Sequence, residues 1–293
     1  MLPTFFLAGA AKAGTSSMHN YLSQHPDIFL SDVKEPHHFS YEDDGWPNWA
    51  VKDRDAYEGL FAAARPGQER GEASTWTLYS QGAPRRISKV IPDARFIALL
   101  RNPTARAYSN WLFNLTGGFD PLDTFEAALE AERRRIENGS AWHLHYVAAG
   151  MYHDQVKRYI DTFGRDKVLI LAFEDLRANA LSLVQKTYDF LGVDPTFEAD
   201  VLGVQNKTFV PRHPWLRSFS RSTGPVKKAL KSLLPANASA YLGRRVKDYN
   251  RISPPKIDES TRLRLDDVFR DDAQKLSELT GKDFYGLWFS NPA

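Results

Sequence analysis

Three short runs are almost wholly apolar: Thr4–Ala8, Arg95–Leu100 and Val168–Phe173. Unbroken apolar runs of this length, with no polar alternation, are what strands covered on both faces require, so these three are expected at the centre of a sheet. Between and after them, apolar residues return at helical spacing, which predicts helices over Thr15–Gln24, Pro103–Leu115, Phe125–Glu137, His153–Phe163 and Leu181–Leu191. Strands alternating with longer helices imply parallel strands joined by crossovers. The expected fold class is α/β: a three-layer, P-loop-like fold with a central parallel sheet flanked by helices.

The pattern changes after about Val204. Val210–Pro214 reads as a loop, and Trp215–Lys247 mixes basic residues with Leu and Phe. Leu230, Leu233 and Leu234 form a stripe too short for a membrane-surface helix to be the first expectation, so docking on the protein's own domain is preferred. Glu259–Thr280 predicts a terminal helix stopped by Gly281. The reading is therefore one domain over 1–293: an α/β core over 1–212 and a C-terminal helical extension over 213–293 packed on it.

Composition narrows the function. Lys plus Arg number 38 against 36 for Asp plus Glu, a net charge of +2, so no overall field favours nucleic acid or an anionic membrane, and any anion site must be local. The chain has 0 cysteines, which excludes disulfides, thiolate metal sites and thiol catalysis. No run approaches the roughly 20 apolar residues of a spanning helix, and the apolar start meets Lys12 too early for a secretory segment. The expectation is a cytoplasmic protein with no integral membrane segment and no nucleic-acid partner; nothing in the sequence speaks to its oligomeric state.

The first strand runs into Gly9-Ala-Ala-Lys12-Ala-Gly14-Thr15-Ser16-Ser17, where a helix begins. Small residues let backbone N–H groups reach phosphate oxygens, and the helix start adds partial positive charge and hydroxyl donors. The triphosphate-binding Walker loop sets its lysine directly after the last glycine, whereas Lys12 precedes Gly14. A kinase also needs a carboxylate for magnesium, commonly ending a later strand; the strand at Phe96–Leu100 ends instead in Arg101. Arg101, and Ser109 two turns into the helix opened by Pro103, suit a second phosphate. A kinase-like phosphoryl transferase or a nucleotide-binding module without catalysis are the alternatives to weigh.

The loop with Lys12, Ala13, Gly14, Thr15, Ser16 and Ser17, followed in order by Arg101 and Ser109, resembles the paired donor-binding motifs of PAPS-dependent sulfotransferases. The likeness continues through Gly150–Val156, Leu171–Leu176 and Phe190–Asp194, similar to bacterial members and to relatives of the carbohydrate and heparan-type enzymes. It implies transfer of a sulfuryl group from PAPS (3′-phosphoadenosine 5′-phosphosulfate) to a hydroxyl of a carbohydrate or small-molecule alcohol, with PAP as leaving group and no metal required. Lys12 is implied at the bridging oxygen. Such chemistry needs a base, and the residues alone leave it open between a carboxylate and an imidazole. Lys34-Glu35-Pro36-His37 resembles the segment of glycosaminoglycan sulfotransferases whose glutamate is the base, which implies Glu35 in that role and His37 at the acceptor. Arg212 resembles the late basic loop that closes over the donor.

One departure stands out. Gly71-Glu72-Ala73-Ser74-Thr75-Trp76 has Ala73 where the glycosaminoglycan enzymes carry a lysine, which removes a cation that a polyanionic sugar would meet. Ser74 and Trp76 are expected near the donor, and Trp46, Trp49, Trp111 and Trp142 are candidates for an apolar or sugar-stacking pocket.

Overall fold

The structure is a computed structural model and describes residues 1–41, 49–201, 210–211, 251–252 and 255–290. Five strands, β1 (Phe5–Gly9), β2 (Ile28–Leu30), β3 (Glu69–Glu72), β4 (Arg95–Leu100) and β5 (Val168–Ala172), form one sheet in the order β2-β3-β1-β4-β5. Every pairing is parallel, with Phe6 opposite both Glu72 and Phe96, and Phe96 opposite Val168. Of the three apolar runs expected at the centre, β1 and its neighbour β4 are inner strands, whereas β5 stands at the edge, most of its side chains still buried by the helical layers. Phe173, read as the end of the last strand, instead opens α7 (Phe173–Ala178), whose first turn carries Glu174 and Asp175, the charge a helix start favours.

Side-chain alternation along β1 sorts the two helical layers. Phe6 and Ala8 point into a core with α2 (Arg54–Gly59), α3 (Ala83–Val90), α6 (Tyr152–Phe163), α9 (Glu259–Thr280) and α10 (Phe284–Phe289), through Tyr57, Ile87, Tyr159, Leu276 and Trp288. Phe5 and Leu7 point the other way, onto α1 (Thr15–Leu22) and α8 (Ala180–Leu191), through Met18, Leu22, Val184 and Tyr188. A third cluster joins α4 (Pro103–Gly117) and α5 (Phe125–Glu137) to α9 around Trp111, Phe125 and Phe269. The segment expected to be a loop at Val210 contains a two-residue antiparallel pairing of Val210–Pro211 with Arg251–Ile252.

β2 is a three-residue apolar strand, Ile-Phe-Leu, whereas β3 carries no apolar signature. β3 is Glu-Arg-Gly-Glu: Glu69 pairs with Arg95 and accepts from Thr4 Oγ1 at 2.5 Å, while Glu72 is buried with Oε2 accepting from the Tyr57 hydroxyl at 2.5 Å. Gly71 lies directly against Phe5 and Leu30, where a Cβ has no room. The chain leaves β1 toward β2 on one side and reaches β4 on the other. The crevice beyond the carboxyl ends of β1 and β4 is therefore the topological switch point where α/β sheets bind ligands.

Candidate active site

The loop after β1 is anchored by Ala10 N–H donating to the Leu99 carbonyl at 2.8 Å, and tightens through Ala13 N–H to the Ala10 carbonyl at 3.1 Å. Lys12 takes φ 70° and Gly14 φ 92°. Gly14 is the N-cap of α1 and offers no side-chain oxygen, so the first-turn amides of Thr15 and Ser16 stay available to an anion, while Ser17 N–H donates to the Gly14 carbonyl at 3.0 Å. A Cβ on Gly14 would stand 2.8 Å from the Phe173 ring, a second reason for glycine. From the end of β4, Arg101 Nη1 donates to the Lys12 carbonyl at 3.2 Å, and its guanidinium lies 4.8 Å from the Phe173 ring centroid. The two anion motifs, 89 residues apart in sequence, are thus one piece.

A cavity of about 900 Å³ opens here, lined by Lys12, Gly14, Thr15, Ser16, Ser17, Glu35, His37, Arg101 and Ser109 among others. Of the described residues expected from sequence at the donor or base, Ala13 and Ser74 are absent from the lining; the Ala13 side chain is buried with its N–H committed to Ala10, and Ser74 is buried with its Oγ accepting His37 N–H. Arg212, Trp46 and the basic segment 215–247 lie outside the described residues. Trp49 and Trp76 line the cavity, while Trp111 and Trp142 are buried in separate apolar clusters.

Glu35 is held from four directions. Lys34 Nζ donates to Oε1 at 2.7 Å, and Oε2 receives Thr75 N–H at 2.8 Å and Thr75 Oγ1 at 3.1 Å, with His37 Nε2 at 3.3 Å. An ionised carboxylate only accepts, so the His37 ring presents its N–H to Glu35. The backbone is fixed as well: Glu35 N–H donates to the Ala73 carbonyl at 2.9 Å and His37 N–H to Ser74 Oγ at 2.9 Å. Burial pushes His37 below the usual imidazole pKa against the opposing pull of Glu35, so it is neutral at physiological pH. Burial first, then Arg101 and Lys34, bring Lys12 down to about 8. Burial likewise lowers Arg101.

Several lining residues escaped sequence reading. Arg177 follows directly on the Leu171–Leu176 segment and is close enough to depress Arg101 further. Thr75 is one residue past Ser74. Asn110, Phe113 and Asn114 share the face of α4 that carries Ser109, a spacing legible once Ser109 is taken as a contact. Among the described residues no group of three or more His, Cys, Asp or Glu side chains is arranged to hold a metal, and no helix is long and apolar enough to cross a membrane.

Comparison with known proteins places the chain in a family. Mouse heparan sulfate glucosamine 3-O-sulfotransferase 6 is 26% identical over 284 residues, covering 96% of the chain and 73% of the relative. Human heparan sulfate glucosamine 3-O-sulfotransferase 3B1 is 25% identical and covers 97% of the chain, which spans 64% of that protein. The crystal structure of a sulfotransferase from Alicyclobacillus acidocaldarius superposes with a TM-score of 0.75 at 29% identity, over 97% of each chain. The family profile described as the sulfotransferase domain matches residues 2–209. With more than half its length matched, and with the central parallel sheet and site just described, the chain belongs to the sulfotransferase family.

Proposed function

We propose that the protein transfers the sulfuryl group of PAPS to the hydroxyl of a carbohydrate or small-molecule alcohol. One observation carries this reading: a carboxylate fixed by four contacts and a cluster of cations, Lys12, Arg101 and Arg177, line one cavity at the switch point of the sheet. The cations and the α1 amides suit a donor with 5′ and 3′ phosphates, the loop with Lys12 and Gly14–Ser17 taking the 5′ end and Arg101 with Ser109 the 3′-phosphate. The relatives named for heparan sulfate glucosamine support a sugar hydroxyl among the acceptors.

In the reaction, Glu35 takes the proton from the acceptor hydroxyl. The new bond forms from that oxygen to sulfur as the bond from sulfur to the bridging oxygen breaks, and its electron pair stays on the 5′-phosphate of PAP. Protonated Lys12 offsets the charge growing there. Neutral His37 steadies Glu35 through Nε2 without competing as a cation. The test is calorimetric titration with PAP in the absence of magnesium, beside ATP with magnesium. The expected result is PAP binding that weakens at least tenfold in Arg101→Ala or Ser109→Ala; preference for ATP with magnesium overturns the reading.

A further inference from the structure

The cavity has a second wall, and it is not built for phosphate. Three of the large apolar residues left exposed in the described chain line this one cavity: Trp49 at 58%, Phe113 at 48% and Phe119 at 53%. Phe113 and Phe119 form a stacked pair, centroids 6.1 Å apart and planes 26° apart. The pair is constructed. Gly118 ends α4 in the left-handed conformation at φ 67°, and Phe119 N–H returns to the Asn114 carbonyl at 2.9 Å. A Cβ on Gly117 would come within 2.5 Å of the Phe119 ring, so glycine there lets the ring lie back toward Phe113. His143 meets Phe119 edge-on at 5.8 Å, and Lys12 Nζ sits 4.3 Å above the Phe113 ring.

Among the described residues this wall has no charged side chain of its own, apart from the Lys12 ammonium over Phe113. Asn110 and Asn114 are amides, and burial with the neighbouring His145 brings His143 down to about 4, leaving it neutral. Asp120, next along the chain, is buried and ion-paired to Arg135 at 2.7 Å. Among the described lining residues the cations are Lys12, Lys34, Arg101 and Arg177. Lys34 is tied to Glu35, and the other three are those that suit the donor phosphates. None is left over for sulfates or carboxylates on an acceptor, and Ala73 adds none. Exposed aromatic rings in the same cavity as a fixed base are a stacking surface for whatever hydroxyl that base deprotonates.

We propose that the Phe113–Phe119 pair, with Trp49 at the same cavity, is the acceptor platform, and that it selects an uncharged acceptor whose hydroxyl sits beside a flat apolar face. A phenol ring and the C–H face of a neutral sugar share that chemistry. The inference rests on the donor reading above, and the experiment separates the two. PAP binding is measured first, in the wild type and in Phe119→Ala, a change at an exposed ring. With PAP bound or PAPS supplied, 2-naphthol, methyl cellobioside and a heparin-derived tetrasaccharide are then compared for binding and transfer. The expected outcome is that at least one neutral acceptor is preferred, with KM insensitive to salt. That KM rises about three- to tenfold in Phe119→Ala and recovers in Phe119→Trp, while PAP affinity is unchanged. Preference for the tetrasaccharide with a salt-sensitive KM overturns the platform, as does a KM unmoved by Phe119→Ala, or failure of both neutral compounds to bind at millimolar concentration. Failure of PAP to bind removes the donor reading itself and the platform with it.

Discussion

Among the described residues, the non-glycine positions with left-handed backbone are Lys12 at φ 70°, Glu35 at φ 61° and His37 at φ 53°. Each such position costs on the order of 1 kcal/mol, held by its surroundings: Arg101 on the Lys12 carbonyl, the Ala73 carbonyl on Glu35, Ser74 on His37. The strain therefore falls on the residues proposed to do chemistry, as expected where orientation matters more than stability. Lys12 also bears an electrostatic cost, since burial, Arg101 and Lys34 together lower it to about 8. A phosphate beside it favours the charged ammonium, so donor binding must raise that pKa and take up a proton. At pH 8 roughly half of the free protein's Lys12 is neutral, and PAP binding should absorb up to about half a proton, falling toward none at pH 6. Calorimetry in buffers of different ionisation enthalpy reads this directly. Lys12→Met should abolish the uptake at pH 8; persistence would assign it to another group.

At the scale of elements, legibility followed burial chemistry. β1, β4 and β5 read from their sequence because hydrocarbon on both faces covers them, and the helices α4, α5 and α8 because their apolar stripes repeat. β3 did not, since Glu69 and Glu72 are accommodated by Arg95, Thr4 and Tyr57, residues distant in sequence that no periodicity announces. The glycine-containing loop and Arg101 stand out in sequence for the opposite reason, since the roles proposed for them reside in local backbone and charge. The aromatic wall was hidden because an exposed phenylalanine reads like a core one until its neighbours are known. β3 nonetheless leads into the segment that holds Glu35, the proposed base, and Glu72 at its end is fully buried, which pushes its carboxyl up to about 7 against the pull of Ser74 and Tyr57. The fold thus prefers Glu72 protonated. Its contribution to stability is present in full below the ordinary carboxyl range and is lost as pH rises through about 7. Glu72→Gln keeps an acceptor for Tyr57 without the charge. Relative to wild type, it should gain stability between pH 5 and 8, by about 3 kcal/mol or less, seen as diverging thermal midpoints. Parallel midpoints would mean that Glu72 is ionised throughout.

The whole molecule reaches further than its family match. That match ends at residue 209, yet Ala273, Leu276, Phe284 and Trp288 belong to the same core as Phe6 and Phe96. Asp272 of α9 accepts Tyr152 N–H at 2.7 Å and His153 N–H at 3.2 Å, capping the start of α6 from 119 residues or more away in sequence. Trp288 connects this layer to the proposed donor site. Its carbonyl receives Asn102 Nδ2 at 3.2 Å, and its Nε1–H donates to Glu174 Oε2 at 3.2 Å. The other Glu174 oxygen accepts Asn102 N–H at 3.0 Å, and Asn102 Oδ1 caps α4 through Ala105 N–H at 2.9 Å. Glu174 is also an acid close enough to Arg101 to stabilise its charge, so the indole N–H helps keep that carboxylate from competing for the guanidinium. Two substitutions separate packing from this restraint. Trp288→Ala should cost about 3–5 kcal/mol by opening a cavity between α6 and α10. Trp288→Phe fills most of that volume and should cost about 1–2 kcal/mol, but it frees one oxygen of Glu174 to turn toward Arg101. PAP affinity in Trp288→Phe should then fall severalfold, and recover when Glu174→Gln is added, because the amide has no charge with which to hold Arg101. An unchanged PAP affinity in Trp288→Phe would limit the C-terminal helices to packing and leave the donor site to the residues within the family match.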